Sequence, residues 1–206
     1  MQRGAEYSIM SGSIELMNSR LSGSEEALAT LAAERVGGRP KARVLIGGLG
    51  IGFTLRAALA AFGGDAEIVV AELVPAVVAW LRGPMAHISG GCLEDTRVTI
   101  RERDVSGLVS APDATFDAIL LDVDNGPGGL TRPENDRLYS RAGLAAAKAA
   151  LTPGGLLAVW SSGPNAEFAR RLATAGFGVE EIKVRATKSG RGARHVIWIG
   201  TAPSQT

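Results

Sequence analysis

Val44-Leu45-Ile46-Gly47-Gly48-Leu49-Gly50-Ile51-Gly52-Phe53-Thr54 is the stretch that decides the fold. Arg43 to Ile46 reads as a short apolar strand, and Thr54 to Phe62 reads as a helix ended by Gly63-Gly64. Between them, Gly47, Gly48, Gly50 and Gly52 let the backbone take positive φ angles. They also let main-chain N–H groups approach a ligand with no Cβ in the way. A glycine turn alone is equally what a tight strand-to-helix connection needs, so its surroundings must decide.

Those surroundings are acidic. Ile68 to Ala71 forms the next strand, and Glu72 follows about 20 residues after the turn, where a carboxylate can accept both hydroxyl hydrogens of a ribose. Val98 to Arg101 is a third strand, closed by Asp104, which either accepts a hydrogen bond from an adenine amine or caps the following turn through Ser106. Phe116 to Leu121 is a fourth, mostly apolar strand ending on Asp122, at the sheet edge where open α/β folds bind ligands. There Asp122 can take a proton from an attacking amine, or it stabilises the turn into a glycine- and proline-rich loop over residues 123–133. Three carboxylates at successive strand ends are harder to explain structurally than any one of them.

Outward from this centre, strands and helices alternate. Pro75 to Leu81 begins a helix, Tyr139 to Leu151 is an alanine-rich helix ended by Thr152-Pro153-Gly154-Gly155, and Leu156 to Trp160 is a fifth strand. Asn165 to Ala175 is a helix, Phe177 to Ala186 a strand, and His195 to Ile199 a last strand entering antiparallel. The expected fold is α/β and Rossmann-like: a mainly parallel seven-stranded sheet with an antiparallel last strand and helices on both faces. Before it, Ala5 to Met17 reads as a hairpin around Ser11-Gly12, and Ser24 reads as the cap of a helix running to Gly37-Gly38. A lone hairpin is marginal, so it leans on the domain or on a second subunit. The expected division is residues 1–37, hairpin and helix, and 38–206, the nucleoside-binding domain.

Composition narrows the function. With 46% hydrophobic residues, 21% charged and a net charge of +1, the chain is expected to be a soluble globular protein without a nucleic-acid surface. Lys183, Arg185, Lys188, Arg191 and Arg194 make the final hairpin locally basic, which reads as a solvated loop rather than an RNA surface, with a small anionic substrate as the other use. The single Cys92 leaves no intramolecular disulfide and fits a reducing cytoplasm; no apolar stretch is long enough for a membrane span. His87 and His195 belong to no cluster, so no metal is expected. Trp160, at a strand end, is either core or a border of the acceptor pocket.

At these residues the chain resembles the spermidine synthase family, a branch of the class I methyltransferase fold, over roughly residues 14–200. The resemblance rests on Val44 to Arg56, Ala71-Glu72-Leu73, Arg103-Asp104-Val105, Phe116 to Asp122, and Leu138-Tyr139 through Gly155. It implies S-adenosylmethionine or its decarboxylated form as co-substrate, held by Gly47, Gly48, Gly50, Gly52, Glu72, Leu73, Asp104, Val105 and Asp122. It also implies alkyl transfer to a small amine such as a polyamine, with Asp122, Asp124 and Asn125 as the catalytic set, in a cytoplasmic homodimer.

The sequence departs from that family at the acceptor side. Where the family carries an aspartate in the glycine turn for the aminopropyl ammonium, this chain has Ile51, and an unpartnered buried ammonium is strongly disfavoured. Asn125 stands where a second aspartate is expected, with Asp124 beside it, and Ser24-Glu25-Glu26-Ala27-Leu28 lacks the family's tyrosine. Ile51 thus leans towards methyl transfer, and the resemblance towards aminopropyl transfer. The glycines of residues 124–130 suit a lid or a plain connection. A non-catalytic nucleoside-binding or interaction module is the alternative, and an NAD-linked oxidoreductase fits the turn spacing less well.

Overall fold

The computed structural model describes residues 1–4, 6–111, 113–123, 126–127, 136–187 and 192–204. It begins with strands β1 (Gln2–Arg3), β2 (Glu6–Ser11) and β3 (Ile14–Asn18), followed by helix α1 (Gly23–Val36). Next come β4 (Arg43–Gly47), α2 (Phe53–Ala61), β5 (Glu67–Ala71), α3 (Pro75–Arg82), α4 (Ala86–Ser89), β6 (Val98–Arg101), α5 (Val105–Val109) and β7 (Phe116–Leu121). The chain continues through α6 (Asp136–Tyr139), α7 (Arg141–Ala149), β8 (Leu151–Ser161), α8 (Ala166–Thr174), β9 (Gly178–Arg185) and β10 (Arg194–Thr201).

Among the described residues seven strands form one sheet in the order β6-β5-β4-β7-β8-β10-β9, and β1-β2-β3 form a separate small sheet. β4 pairs parallel with β5 and with β7, while β10 runs antiparallel between β8 and β9, as the sequence leads one to expect. The strand order reverses between β4 and β7, which opens a crevice beyond their carboxyl ends.

Side chains alternate cleanly across this sheet. Val44, Ile46, Ala118, Leu120, Ala158, Ile197 and Ile199 face a core shared with α1, α2 and α3. Leu45, Ile119, Leu121, Leu157, Val159, Val196 and Trp198 face the opposite core, under α5, α7 and α8. At the far end of the sheet Asp117 accepts hydrogen bonds from the Arg43 backbone N–H (2.9 Å), Arg39 (2.8 Å) and Thr152 (2.9 Å). Burial pushes that carboxyl up, but these donors prevail and hold it below its ordinary range.

Three elements differ from the sequence reading. Helix α1 starts at Gly23 with Ser22 as its N-cap, and no side chain caps it; the Ser24 hydroxyl donates instead to Glu25 at 2.6 Å. The Tyr139–Leu151 helix is broken at Ser140, whose hydroxyl caps α7 by accepting from the Gly143 N–H at 3.1 Å. β8 begins at Leu151, five residues before Leu156, because Thr152 to Gly155 bulge between the pairs Phe116–Leu151 and Ala118–Leu156.

The hairpin is real and gains a third strand, β1. It leans on the domain through Tyr7, Ile9 and Met17, which pack against the first core, and the Tyr7 ring lies 5.5 Å from that of His87. No helix among the described residues is long and apolar enough to cross a membrane.

Candidate functional site

The glycines after β4 divide into two kinds. Gly47 and Gly52 serve the chain itself: a Cβ on Gly47 would press on Leu121 and Val105 at 3.0–3.1 Å, and Gly52 (φ +85°) is the N-cap of α2. Gly48 and Gly50 face a cavity of about 200 Å³ beyond the ends of β4, β5 and β7. Gly48 adopts φ +88° and passes so close to β7 that a Cβ there would lie 2.3 Å from the Asp122 carbonyl oxygen. Only glycine permits this approach.

Glu72 follows β5 and is 7% exposed. One of its oxygens accepts the Leu49 N–H at 3.0 Å and the other the Val74 N–H at 2.7 Å. The carboxylate therefore pins the glycine turn to the next strand end. An ionised carboxylate has about four acceptor sites, so each oxygen keeps one for a hydroxyl donor in the cavity. Asp104 accepts the Ser106 N–H at 2.7 Å, so it does cap α5, and it lines the same cavity. Val105 and Arg103 line it too, while Leu73, 48% exposed, forms its rim.

Asp122, just past β7, lines the other side of the cavity and accepts a 2.6 Å hydrogen bond from the Thr54 hydroxyl at the start of α2. Burial, with repulsion from Glu25 behind it, pushes its carboxyl up to about 7 against the opposing bond from Thr54. A carboxyl that titrates near neutral pH is suited to proton transfer at that pH. Asp124, Asn125 and residues 128–133 of the loop lie outside the described residues. Gly126 and Pro127 are buried: Gly126 has φ +78° against the backbone of Trp160 and Ser161, and the Pro127 carbonyl accepts from Asn165 at 2.9 Å.

The structure adds residues that the sequence reading missed. Glu25, 8% exposed on α1, lines the cavity opposite the glycine turn; burial raises its carboxyl, and repulsion from Glu26 adds to that. The signal was available, since Glu25 shares the helical phase of Leu28, Ala29, Ala32 and Val36 and so sits on the apolar stripe. Ile9, Leu16 and Met17 from the hairpin also line the cavity, and the Met17 sulfur accepts the Ile51 N–H at 3.1 Å. Nothing local announces that contact. Trp160 closes the back of the cavity, its ring 4.8 Å from that of His195, and its indole N–H has no partner among the described residues. Among the described residues no three His, Cys, Asp or Glu side chains form a metal-binding group.

Ile51 itself is fully buried in the core beneath the turn and presents no side chain to the cavity. The carboxylates that do line it are Glu25, Glu72, Asp104 and Asp122, against one cation, Arg103, among the described residues. At about 200 Å³ the space is smaller than the roughly 300–1,000 Å³ of small-molecule sites, and Ile9, Leu16 and Met17 of the hairpin form part of its wall.

No family model matches the chain. Over 124 residues it is 34% identical to the polyamine aminopropyltransferase of Mycobacterium tuberculosis, a match covering 59% of this chain and 23% of that protein. The matched stretch is thus under a quarter of the relative's length. Among solved structures, spermidine synthase from Thermotoga maritima superposes with a TM-score of 0.72 at 18% identity, over 93% of this chain and 64% of the other. An S-adenosylmethionine-dependent O-methyltransferase from Thermotoga maritima superposes with a TM-score of 0.62 at 18% identity, over 86% and 65%. The fold is that of the class I methyltransferases. That fold is shared with the spermidine synthase it superposes on.

Proposed function

We propose that this chain is a transferase that binds decarboxylated S-adenosylmethionine and moves its aminopropyl group to a small amine of the polyamine type. The observation that carries this reading is the placement of Glu72 and Asp122, from strand ends flanking β4, on one cavity with Gly48 and Gly50. Glu72 holds the turn and has one acceptor position left on each oxygen for the ribose hydroxyls. Asp104 and Leu73 border the base, and Asp122 faces the acceptor.

Charge selects the form of the donor. The decarboxylated form carries only positive groups, whereas S-adenosylmethionine brings a carboxylate into a cavity lined by four carboxylates and one guanidinium. Since the Ile51 side chain lies in the core, its apolar character does not argue for methyl transfer. When bound, the donor supplies an electrophilic carbon: the acceptor nitrogen's lone pair forms the N–C bond as the C–S bond breaks and its electron pair returns to sulfur. Asp122 first takes one proton from the acceptor ammonium, freeing that lone pair. The new N–C nitrogen inherits the positive charge that sulfur loses.

The same reading makes residues 1–37 a reduced N-terminal element that packs over the nucleoside-binding domain of residues 38–206. It also makes the chain a homodimer, which rests on the resemblance, and a cytoplasmic one, which the single cysteine fits.

The test is calorimetry with both donor forms, combined with mass spectrometry of the product from 1,4-diaminobutane. Decarboxylated S-adenosylmethionine is expected to bind at least about tenfold tighter, and the diamine to gain an aminopropyl group. Glu72→Gln is expected to weaken nucleoside binding about ten- to a hundredfold, the loss of one or two hydrogen bonds to a charged group. Tighter binding of S-adenosylmethionine together with methylated product would overturn the choice of donor.

A further inference from the structure

Glu25 sits in a hydrogen-bond chain that neither nucleoside binding nor proton removal by Asp122 requires. The Ser24 hydroxyl donates its one hydrogen to Glu25 Oε2 at 2.6 Å. Its oxygen also lies 2.9 Å from Nδ1 of His195, at the start of β10. Because the serine hydrogen is committed to Glu25, the imidazole must be the donor, and the chain runs from His195 Nδ1–H to Ser24 to Glu25. Ser24 is fully buried, and the Trp160 ring packs edge-on against His195. The effect is to hold one carboxylate oxygen of Glu25 in place at the wall of the cavity that Asp122 also lines.

The buried Glu25 and the part-buried Asp122 thus line one small space, and the Thr54 hydroxyl donates to the Asp122 carboxylate at 2.6 Å and lies 3.3 Å from the main-chain carbonyl of Glu25. The charged or titratable groups around Glu25 are Glu26 on its own helix, Asp122 beyond β7, His195 on β10, and Glu72, Asp104 and Arg103 across the cavity. Among the described residues no salt bridge supplies either Glu25 or Asp122 with a cation. Two like charges in low dielectric favour a cationic occupant or a shared proton.

We propose that Glu25, positioned by His195 through Ser24, joins Asp122 as a two-carboxylate site for a single cationic amine nitrogen. This deepens the transferase reading and rests on it for the identity of the reaction, although the amine site itself does not. An entering ammonium gives one proton to the pair and keeps its nitrogen between two acceptors. His195 and Ser24 are positioning residues, since they act through Glu25.

The experiment is calorimetric titration of the full chain with 1,4-diaminobutane between pH 5 and 9, alongside titration with S-adenosylhomocysteine. In the wild type, amine binding is expected to strengthen as the pair loses its proton near pH 7. Glu25→Gln, which is nearly isosteric, is expected to weaken amine binding at pH 8 about tenfold and to move the midpoint to lower pH, because Asp122 loses its repelling neighbour. Ser24→Ala is expected to weaken it about threefold, and Glu25→Asp to restore part of the midpoint. Melting curves establish that each variant is folded, and carboxyl NMR on Asp122 reads the shift with no ligand present. An unchanged midpoint and unchanged amine affinity in Glu25→Gln would overturn the proposal while leaving nucleoside binding intact. Failure of S-adenosylhomocysteine to bind, with amine binding still dependent on Glu25, would support it and remove the transferase reading instead.

Discussion

Replacing Asp122 by asparagine is expected to cost about 100- to 10,000-fold in turnover while making the protein more stable at pH 8. The two effects share one cause. Asp122 is half-buried and desolvated at the end of β7, repelled by Glu25 and paired with no cation among the described residues, so its carboxyl is pushed up to about 7 in the native protein, against an ordinary value near 3.8. Between those values the native state binds the proton more tightly than the unfolded chain does. Stability therefore falls as pH rises from about 4 to about 7, and above pH 7 the loss is complete.

Asparagine keeps the shape and still accepts from Thr54, but carries no charge. The gain above pH 7 is on the order of 2–4 kcal/mol, or roughly 5–15 °C in melting temperature for a chain of this size. It should shrink towards zero as pH approaches 4. Affinity for S-adenosylhomocysteine should stay within a few-fold. Melting curves at pH 5 and 8 and a transfer assay check all three, and turnover that survives in Asp122→Asn removes the assigned role.

The second large effect belongs to Gly48→Ala. The added methyl would sit 2.3 Å from the Asp122 carbonyl oxygen, a backbone atom held by the pairing of β4 with β7. The φ of +88° is strained for any residue with a Cβ, whatever space is available. Relief requires prising the two central strands apart at their carboxyl ends, where Gly47 accepts the Asp122 N–H at 2.9 Å. A destabilisation of about 2–4 kcal/mol is expected, with nucleoside binding lost because the turn and Asp122 move together. Gly50→Ala makes the contrast: its φ of +51° also strains an alanine, but its Cβ would meet only the Met17 side chain, with the sulfur at 2.7 Å, a flexible end that can give way, so its cost is expected to be smaller. A Gly48→Ala protein that melts like the wild type would show that this close approach does not matter.

Much of this architecture is legible in the residues because it is local. The apolar run Phe116 to Leu121 and the glycines after Ile46 carry their own signals, period two and positive φ, and the structure places both elements to within a residue. Glu72 and Asp122 follow from the rule that ligands meet strands at their carboxyl ends. The features that escaped depend on contacts between distant segments, or on a signal with two meanings. Thr152-Pro153-Gly154-Gly155 has the composition of a turn yet bulges within β8, because the strand pairs with β7 on either side. Ser140 breaks an alanine-rich run only by capping α7.

Glu25 was the most informative miss. Beside Glu26 in a first helical turn it reads as dipole compensation, and only its phase with Leu28 and Ala32 gives away its burial. The hairpin's hold on the turn, Met17 against the Ile51 N–H, joins residues that no short-range pattern connects.

The central claim is that the amides of the glycine turn and the Glu72 carboxylate grasp an adenosine while Asp122 faces the acceptor nitrogen. A crystal structure of the full chain with S-adenosylhomocysteine tests it most directly. Both ribose hydroxyls are expected within about 3 Å of Glu72, with Met17 displaced from Ile51 and the thioether sulfur on the Asp122 side. A nucleoside bound elsewhere, or Glu72 still turned only to Leu49 and Val74 with Met17 in place, would contradict it.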